Sequence, residues 1–154
     1  MRLLLKIIEI RFKGLLRLRP ATTPLRLDCL GVACGLCCQI MGGEVAVFDD
    51  DDVDPVQRYL VKRRGGTQTI KGNGCVCTLY EDGLCSRHSN RPKSCREYPW
   101  YNVGGVLFYD TGCPGMRLDR DERPNVTDIR PIGQYLDELP RYLRGPVVFI
   151  LSLW

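Results

Sequence analysis

Nine cysteines in a chain of 154 residues are the side chains best placed to do chemistry. They run Cys29-x4-Cys34-x2-Cys37-Cys38, then Cys75-x-Cys77-x7-Cys85-x9-Cys95-x17-Cys113. Cys34 and Cys37 form a C-x-x-C chelate, whose spacing lets two thiolates turn back on one ion while the intervening N–H groups point at sulfur. Alone, that motif is shared with redox pairs; beside six or seven further cysteines it reads as metal binding. The count is odd, so a closed set of disulfides would leave one thiol over. Cys37 and Cys38 are consecutive, with Cα atoms about 3.8 Å apart and side chains that diverge in an extended chain. Such a pair can serve two metal centres or two atoms of one cluster; a strained vicinal disulfide is the alternative.

Charge constrains the site. Four thiolates on one Zn²⁺ leave a net negative charge that nearby cations must offset, and Arg87, Arg91, Lys93 and Arg96 stand among the later cysteines. As outer donors they would orient and stabilise the ligands. Arg91 and Arg96 bracket Cys95 and read as embedded rather than as a solvated face. His88, the only histidine, follows Cys85 by three residues. It is close enough to join a site, although packing or hydrogen bonding is the plainer role. Cys75 is two residues from Cys77, and in a strand both would face one side, making Cys75 a spare ligand or a buried free thiol. No phosphate loop, Ser/His/Asp set or partnered carboxylate pair occurs, so catalysis, if any, would come from the metal. Tyr98, Trp100 and Tyr101 read as core.

These residues need elements to hold them. Residues 2–19 carry Leu4, Leu5, Ile8, Phe12, Leu15 and Leu16 at helical spacing with six positive charges against Glu9, and Pro20 ends the run. This predicts a basic amphipathic helix that packs on its own domain or docks to a partner or an anionic membrane surface. Glu44 to Phe48 is a strand candidate. The acidic run Asp49–Asp52 leads into Asp54-Pro55, a helix start of N-cap and Pro type, and the helix is expected to reach about Arg64. No glycine suits a calcium loop there. Residues 65–74 read as loop, 76–80 and 106–109 as strands, and 119–131 as polar and exposed. Short helices are expected at 132–139 and 140–144, before the apolar end 146–154.

The bulk properties fit one ordinary soluble domain. The net charge of +4 is modest, and no basic and aromatic residues alternate, which argues against a nucleic-acid partner. Charges break the N-terminal apolar run, so it reads as neither a signal peptide nor a membrane span. A cytoplasmic location, with complex or membrane association through the terminal segments, is the expectation. In that compartment thiols stay reduced and clustered cysteines read as metal ligands.

Cys34-Gly-Leu-Cys37-Cys38, Cys77-Thr-Leu-Tyr-Glu-Asp-Gly-Leu-Cys85-Ser-Arg-His, Arg91-Pro-Lys-Ser-Cys95-Arg96-Glu-Tyr98-Pro99 and Cys113-Pro114-Gly115 occur in that order. Over residues 29–115 this pattern resembles the YkgJ-type cysteine-cluster proteins, the CxxCxxCC zinc- or iron-chelating domain. The resemblance implies a shared ligand set of Cys34, Cys37, Cys38, Cys77, Cys85, Cys95 and Cys113. Cys29, separated from Cys34 by four residues rather than two, is added as an eighth ligand, and Cys75 lies outside the shared set. The expectation is therefore an α+β chain: a basic amphipathic helix (1–20), a small irregular cysteine-rich metal domain with short strands (26–118) and a C-terminal extension of short helices and apolar tail (119–154). Zinc ions or an iron–sulfur cluster are the expected cofactors, since thiolate-only sites suit both. The expected role is a structural or accessory subunit that meets a protein partner through its two ends. The alternatives are an iron–sulfur redox or group-transfer enzyme and an electron-transfer subunit.

Overall fold

A computed structural model describes residues 17–40, 45–62, 68–72 and 76–137. The chain divides into two units: Met1–Leu27 with Pro99–Trp154, and Asp28–Tyr98. Chain order gives β1 (Leu18–Pro20) and β2 (Arg26–Leu27) in the first unit. The second holds β3 (Val45–Val47), β4 (Leu60–Lys62), β5 (Gln68–Ile70), β6 (Tyr80–Glu81) and β7 (Leu84–Cys85). The chain then returns to the first unit with β8 (Trp100–Val103), β9 (Val106–Asp110) and β10 (Met116–Arg117). Short helices between these strands make the fold α+β.

In the first unit an antiparallel sheet runs β1-β9-β8. Its β8–β9 hairpin turns on Gly104 and Gly105, both at positive φ, which the tight two-residue hairpin turn requires. Asn102 fixes the neighbouring loop: its Nδ2 donates to the carbonyls of Val126 and Ile129 at 3.0 and 3.1 Å, and its Oδ1 accepts from Gly105 N at 3.0 Å. Ala21, Leu25, Trp100 and Ile129 form the core here. β2 pairs with β10, and the Ile132–Asp137 helix packs near β8.

The second unit is built around sulfur. Its buried core is Cys38, Val47, Val56, Ile70, Cys77 and Leu79, with Cys37, Cys85 and Cys95 among the half-buried side chains packed against it. A three-stranded antiparallel sheet, β3-β5-β4, supplies the aliphatic side. Ile70 lies opposite both Val45 and Leu60 and is completely buried, a burial that stabilises the fold by about 1.5–3 kcal/mol. β6 and β7 pair across a turn at Asp82 and Gly83, both at positive φ.

Several expectations change. Residues 18–20, expected to finish an N-terminal helix, are strand β1, because Leu18 has a core to enter and pairs opposite Asp110; residues 1–16 lie outside the described residues. The helix expected from Asp54 to Arg64 is a 3-10 turn, Asp54–Tyr59, that gives way to β4. Val61 favours extended backbone, and β5 offers Leu60 and Val61 a partner. The loop expected at 65–74 contains β5, the middle strand. Only part of 76–80 is strand: Cys77 forms an isolated bridge with Gly72, and regular pairing begins at Tyr80. The segment 119–131 is mostly exposed, but Ile129 and Arg130 are buried. The expected strands near 44–48 and 106–109 appear as β3 and β9, and the helix near 132–139 as Ile132–Asp137. The helix expected at 140–144, the apolar end 146–154 and Cys75 lie outside the described residues.

Gly35 tests the loop that carries the C-x-x-C. It sits at φ +49°, and a Cβ placed on it would lie 2.2 Å from the Tyr80 ring and 2.5 Å from the Gly83 carbonyl oxygen. Gly104 also has positive φ, +59°, but open space around it. Gly104→Ala should therefore lose about 1 kcal/mol from backbone strain alone. Gly35→Ala should lose roughly 2 kcal/mol or more, since strain and overpacking act together. Urea unfolding of the two variants checks the order.

Candidate metal centre

The first cysteines ride on two short helices. Asp28 caps the Cys29–Val32 turn by accepting from Gly31 N at 2.9 Å, and Ala33, in the left-handed region, ends it. Gly35 then reverses the chain into the Leu36–Ile40 helix, which carries Cys37 and Cys38. Gln39 ties this helix down: its Nε2 donates to the Cys34 carbonyl at 3.2 Å and to the Tyr80 hydroxyl at 3.1 Å. The Cys77 amide donates to the Cys38 carbonyl at 2.8 Å. That bond sets the two sulfur-bearing segments side by side. Cys85 enters from β7, and Cys95 from the Lys93–Glu97 helix.

Cys38 is the hub. Its thiol stands within hydrogen-bonding reach of Cys37, Cys77 and Cys85. The hydrogen bond with Cys38 is the main cause that lowers Cys37 and Cys85 to about 6 and Cys77 to about 7. The reciprocal effect pushes Cys38 up, so the shared proton resides there. Cys95 is pushed up to about 12, first by burial and then by the negative potential of Cys37, Cys77 and Cys85. Burial also raises Cys29, against which a hydrogen bond and the charge of Arg91 act. Cys29 in turn feels Cys37 and Cys34.

All eight described cysteines are free thiols. The structure brings Cys37, Cys38, Cys77 and Cys85 together, with Cys95 beside them and Cys29 and Cys34 at their edge. Cys113 belongs to the first unit, where it is buried beside Tyr101 and Asp110. Among the described residues no group of three or more Cys, His, Asp or Glu already stands in an arrangement that would enclose an ion; the central thiols are joined through the Cys38 proton instead. The donor chemistry nevertheless fits a thiophilic metal: the converging atoms are sulfur, and three of them, Cys37, Cys77 and Cys85, are lowered toward thiolate.

Of the four cations expected around the site, Arg91 acts most widely. Its positive charge favours the thiolate at Cys29, Cys37, Cys85 and Cys95. Arg87 acts on Cys85. Lys93 is instead paired with Asp50 at 2.9 Å and lies 3.8 Å from Glu97. Arg96, expected to be embedded, is exposed, because its place on the short helix faces away from the buried Glu97 side. The His88 Nε2 is shielded from solvent with no partner among the described residues. Burial, then Arg91, lower the pKa of its ring.

The family profile described as "CxxCxxCC: Putative zinc- or iron-chelating domain" matches residues 28–114. The chain belongs to the CxxCxxCC family. The match takes in all nine cysteines and supports metal binding without choosing between zinc and iron. Neither curated proteins nor solved structures gave a match. Within the CxxCxxCC domain, sequence patterning missed Asp51, whose carboxylate is buried between two segments. The only signal was its place in an acidic run, which reads more simply as support for the following helix. Among the described residues no helix is long and apolar enough to cross a membrane.

The hub role of Cys38 is open to a direct measurement. In chelator-treated protein, labelling of Cys37 and Cys85 by iodoacetamide should rise with pH around a midpoint near 6. Cys38→Ala removes the hydrogen-bond donor, so both midpoints should move up toward the ordinary thiol value of about 8.5. Mass-spectrometric labelling across pH reads the shift, and unchanged midpoints would count against the hub.

Proposed function

We propose that the CxxCxxCC domain is a metal-holding module in which Cys37, Cys38, Cys77, Cys85 and Cys95 are the central ligands, with Cys29 and Cys34 completing the set in the second unit. One observation carries this reading. Cys38 and Cys77 are buried in the core of the second unit with Cys37, Cys85 and Cys95 packed against it, and hydrogen bonding to Cys38 lowers three of these sulfurs, Cys37, Cys77 and Cys85, toward thiolate. One S–H can donate to only one of them at a time, so electron-rich sulfur exceeds the donors that could satisfy it. A divalent cation or an iron–sulfur cluster accepts from all of them at once. Arg91 reduces the net negative charge that remains.

The metal would supply folding free energy, because its ligands come from segments far apart in sequence. We place the protein as an accessory subunit rather than an enzyme, meeting a protein partner through its basic N-terminal segment and apolar C-terminal end. Those segments lie outside the matched residues 28–114 and carry more apolar character than a small cysteine domain needs. A protein partner is favoured over lipid because Ile7 and Ile10 spread the apolar positions of the sequence beyond one stripe.

Metal analysis of protein purified without oxygen tests the proposal. Brown protein with visible charge-transfer bands identifies iron–sulfur; colourless protein with stoichiometric zinc identifies a structural ion. Cys37→Ser and Cys95→Ser should each lose most of the metal or the soluble fold, and near-complete retention in both would refute the ligand assignment. Acid should release the metal in one direction only. Cys38 is raised and Cys95 is pushed up to about 12, so protons already compete with metal for these two sulfurs at neutral pH; Cys37 and Cys85, lowered to about 6, join them only below that value. Metal affinity should fall as pH is lowered through the neutral range and fall more steeply below about pH 6, where Cys37 and Cys85 also take up protons; a metal-binding titration across pH reads the change of slope.

A further inference from the structure

We infer that Asp51 is the positioning residue that holds Cys95 against the sulfur cluster; this rests on the reading of Cys95 as a ligand. Cys95 is the third residue of a helix of only five, Lys93–Glu97. So short a helix cannot stabilise itself, and its amides need outside acceptors. Its N-cap position is Pro92, which has no side-chain acceptor, and no side-chain capping bond forms there. The acceptor comes instead from 43 residues earlier in the chain: Asp51 Oδ1 receives the Ser94 N–H at 2.7 Å.

The other oxygen of the same carboxylate is also committed. Asp51 Oδ2 accepts from Phe48 N at 2.8 Å, while Asp51 N donates to the Phe48 carbonyl at 3.0 Å. The 48–51 turn is thereby closed on itself directly after β3. Asp51 is 8% exposed, so its two charge-assisted bonds are shielded from water and strong. One side chain thus pins the residue next to Cys95 to the sheet whose Val47 lies in the same core as Cys38 and Cys77. Lys93 adds a weaker, more exposed tether, 2.9 Å from Asp50. Neither aspartate need touch metal; the arrangement fixes where the Cys95 sulfur stands.

The test uses the full chain, stripped with chelator and titrated with cobalt(II). The variants are Asp51→Ala, Asp51→Asn and Cys95→Ser. Thiolate-to-cobalt charge-transfer absorption counts sulfur ligands, and labelling of Cys95 by iodoacetamide in the loaded chain reports its seating. Asp51→Ala should lower the absorption per cobalt as far as Cys95→Ser does and speed Cys95 labelling by about tenfold, the scale of one lost charged hydrogen bond. Asp51→Asn keeps an oxygen for Ser94 N and should recover much of both. Wild-type absorption and wild-type Cys95 labelling in Asp51→Ala would overturn the inference. Equal loss of all thiolate absorption in the Ala and Asn variants would overturn it too, since that is general unfolding. If Asp51→Ala does not fold, Asp51→Asn decides: intermediate Cys95 labelling supports the role, and wild-type labelling refutes it. If Cys95→Ser keeps full absorption, the ligand reading of Cys95 fails, while the labelling rates still judge Asp51.

Discussion

Everything in the second unit depends on how four sulfur atoms can share one buried place. Thiols of Cys37, Cys38, Cys77 and Cys85 lie together where aliphatic side chains would ordinarily close a core. As neutral thiols they pack as small apolar groups. As thiolates they repel and lose hydration, which is costly unless a counter-charge lies among them. The Cys38 proton and the Arg91 guanidinium meet part of that demand. The remaining demand is what makes the cluster a receptor for a cation rather than only a core.

The surrounding elements are too short to hold this arrangement by themselves. Five-residue helices and two- or three-residue strands have little cooperative stability. Their positions come from single cross-links: Cys77 N to the Cys38 carbonyl, Gln39 to Cys34 and Tyr80, and Asp51 to Ser94 and Phe48. Each joins a segment bearing one cysteine to a segment bearing another or to the sheet. Gly35 matters for the same reason, because its missing side chain lets the Cys34–Cys37 loop press against Tyr80 and Gly83.

The chemistry was more legible in the sequence than the fold. Spacing marked the cysteines as metal ligands, and the family resemblance implied the set Cys34, Cys37, Cys38, Cys77, Cys85, Cys95 and Cys113, with Cys29 added; of these Cys113 stands in the first unit. Spacing also offered Arg87, Arg91, Lys93 and Arg96 as cations, of which Arg91 acts on four of the cysteines. Strand β5 was hidden because Gln68-Thr69-Ile70 follows a glycine pair and is too brief to display an alternating pattern. The Asp54–Tyr59 turn carried good helix-start signals, yet its continuation was decided by β5 as a partner. Local propensity cannot register a neighbour supplied by tertiary structure. Asp51 was hidden for the same reason: an N-cap 43 residues from its helix leaves no local trace.

The placement of charge also bears on which state of the cluster the protein favours before metal arrives. Arg91 stands close enough to act on four cysteines, and its Nε is buried with no partner among the described residues. A half-buried guanidinium with a shielded Nε gains from a nearby counter-charge. Its natural counter-charge is thiolate, so Arg91 and the sulfurs stabilise each other's charged forms. Burial first, and then the charge of Arg91, disfavour protonation of His88. Arginine suits this position better than lysine, because it stays protonated when buried and its planar fork can address more than one sulfur. Thiolates held by a fixed cation are ready ligands, so less proton release need accompany metal entry than an unperturbed set of thiols would demand.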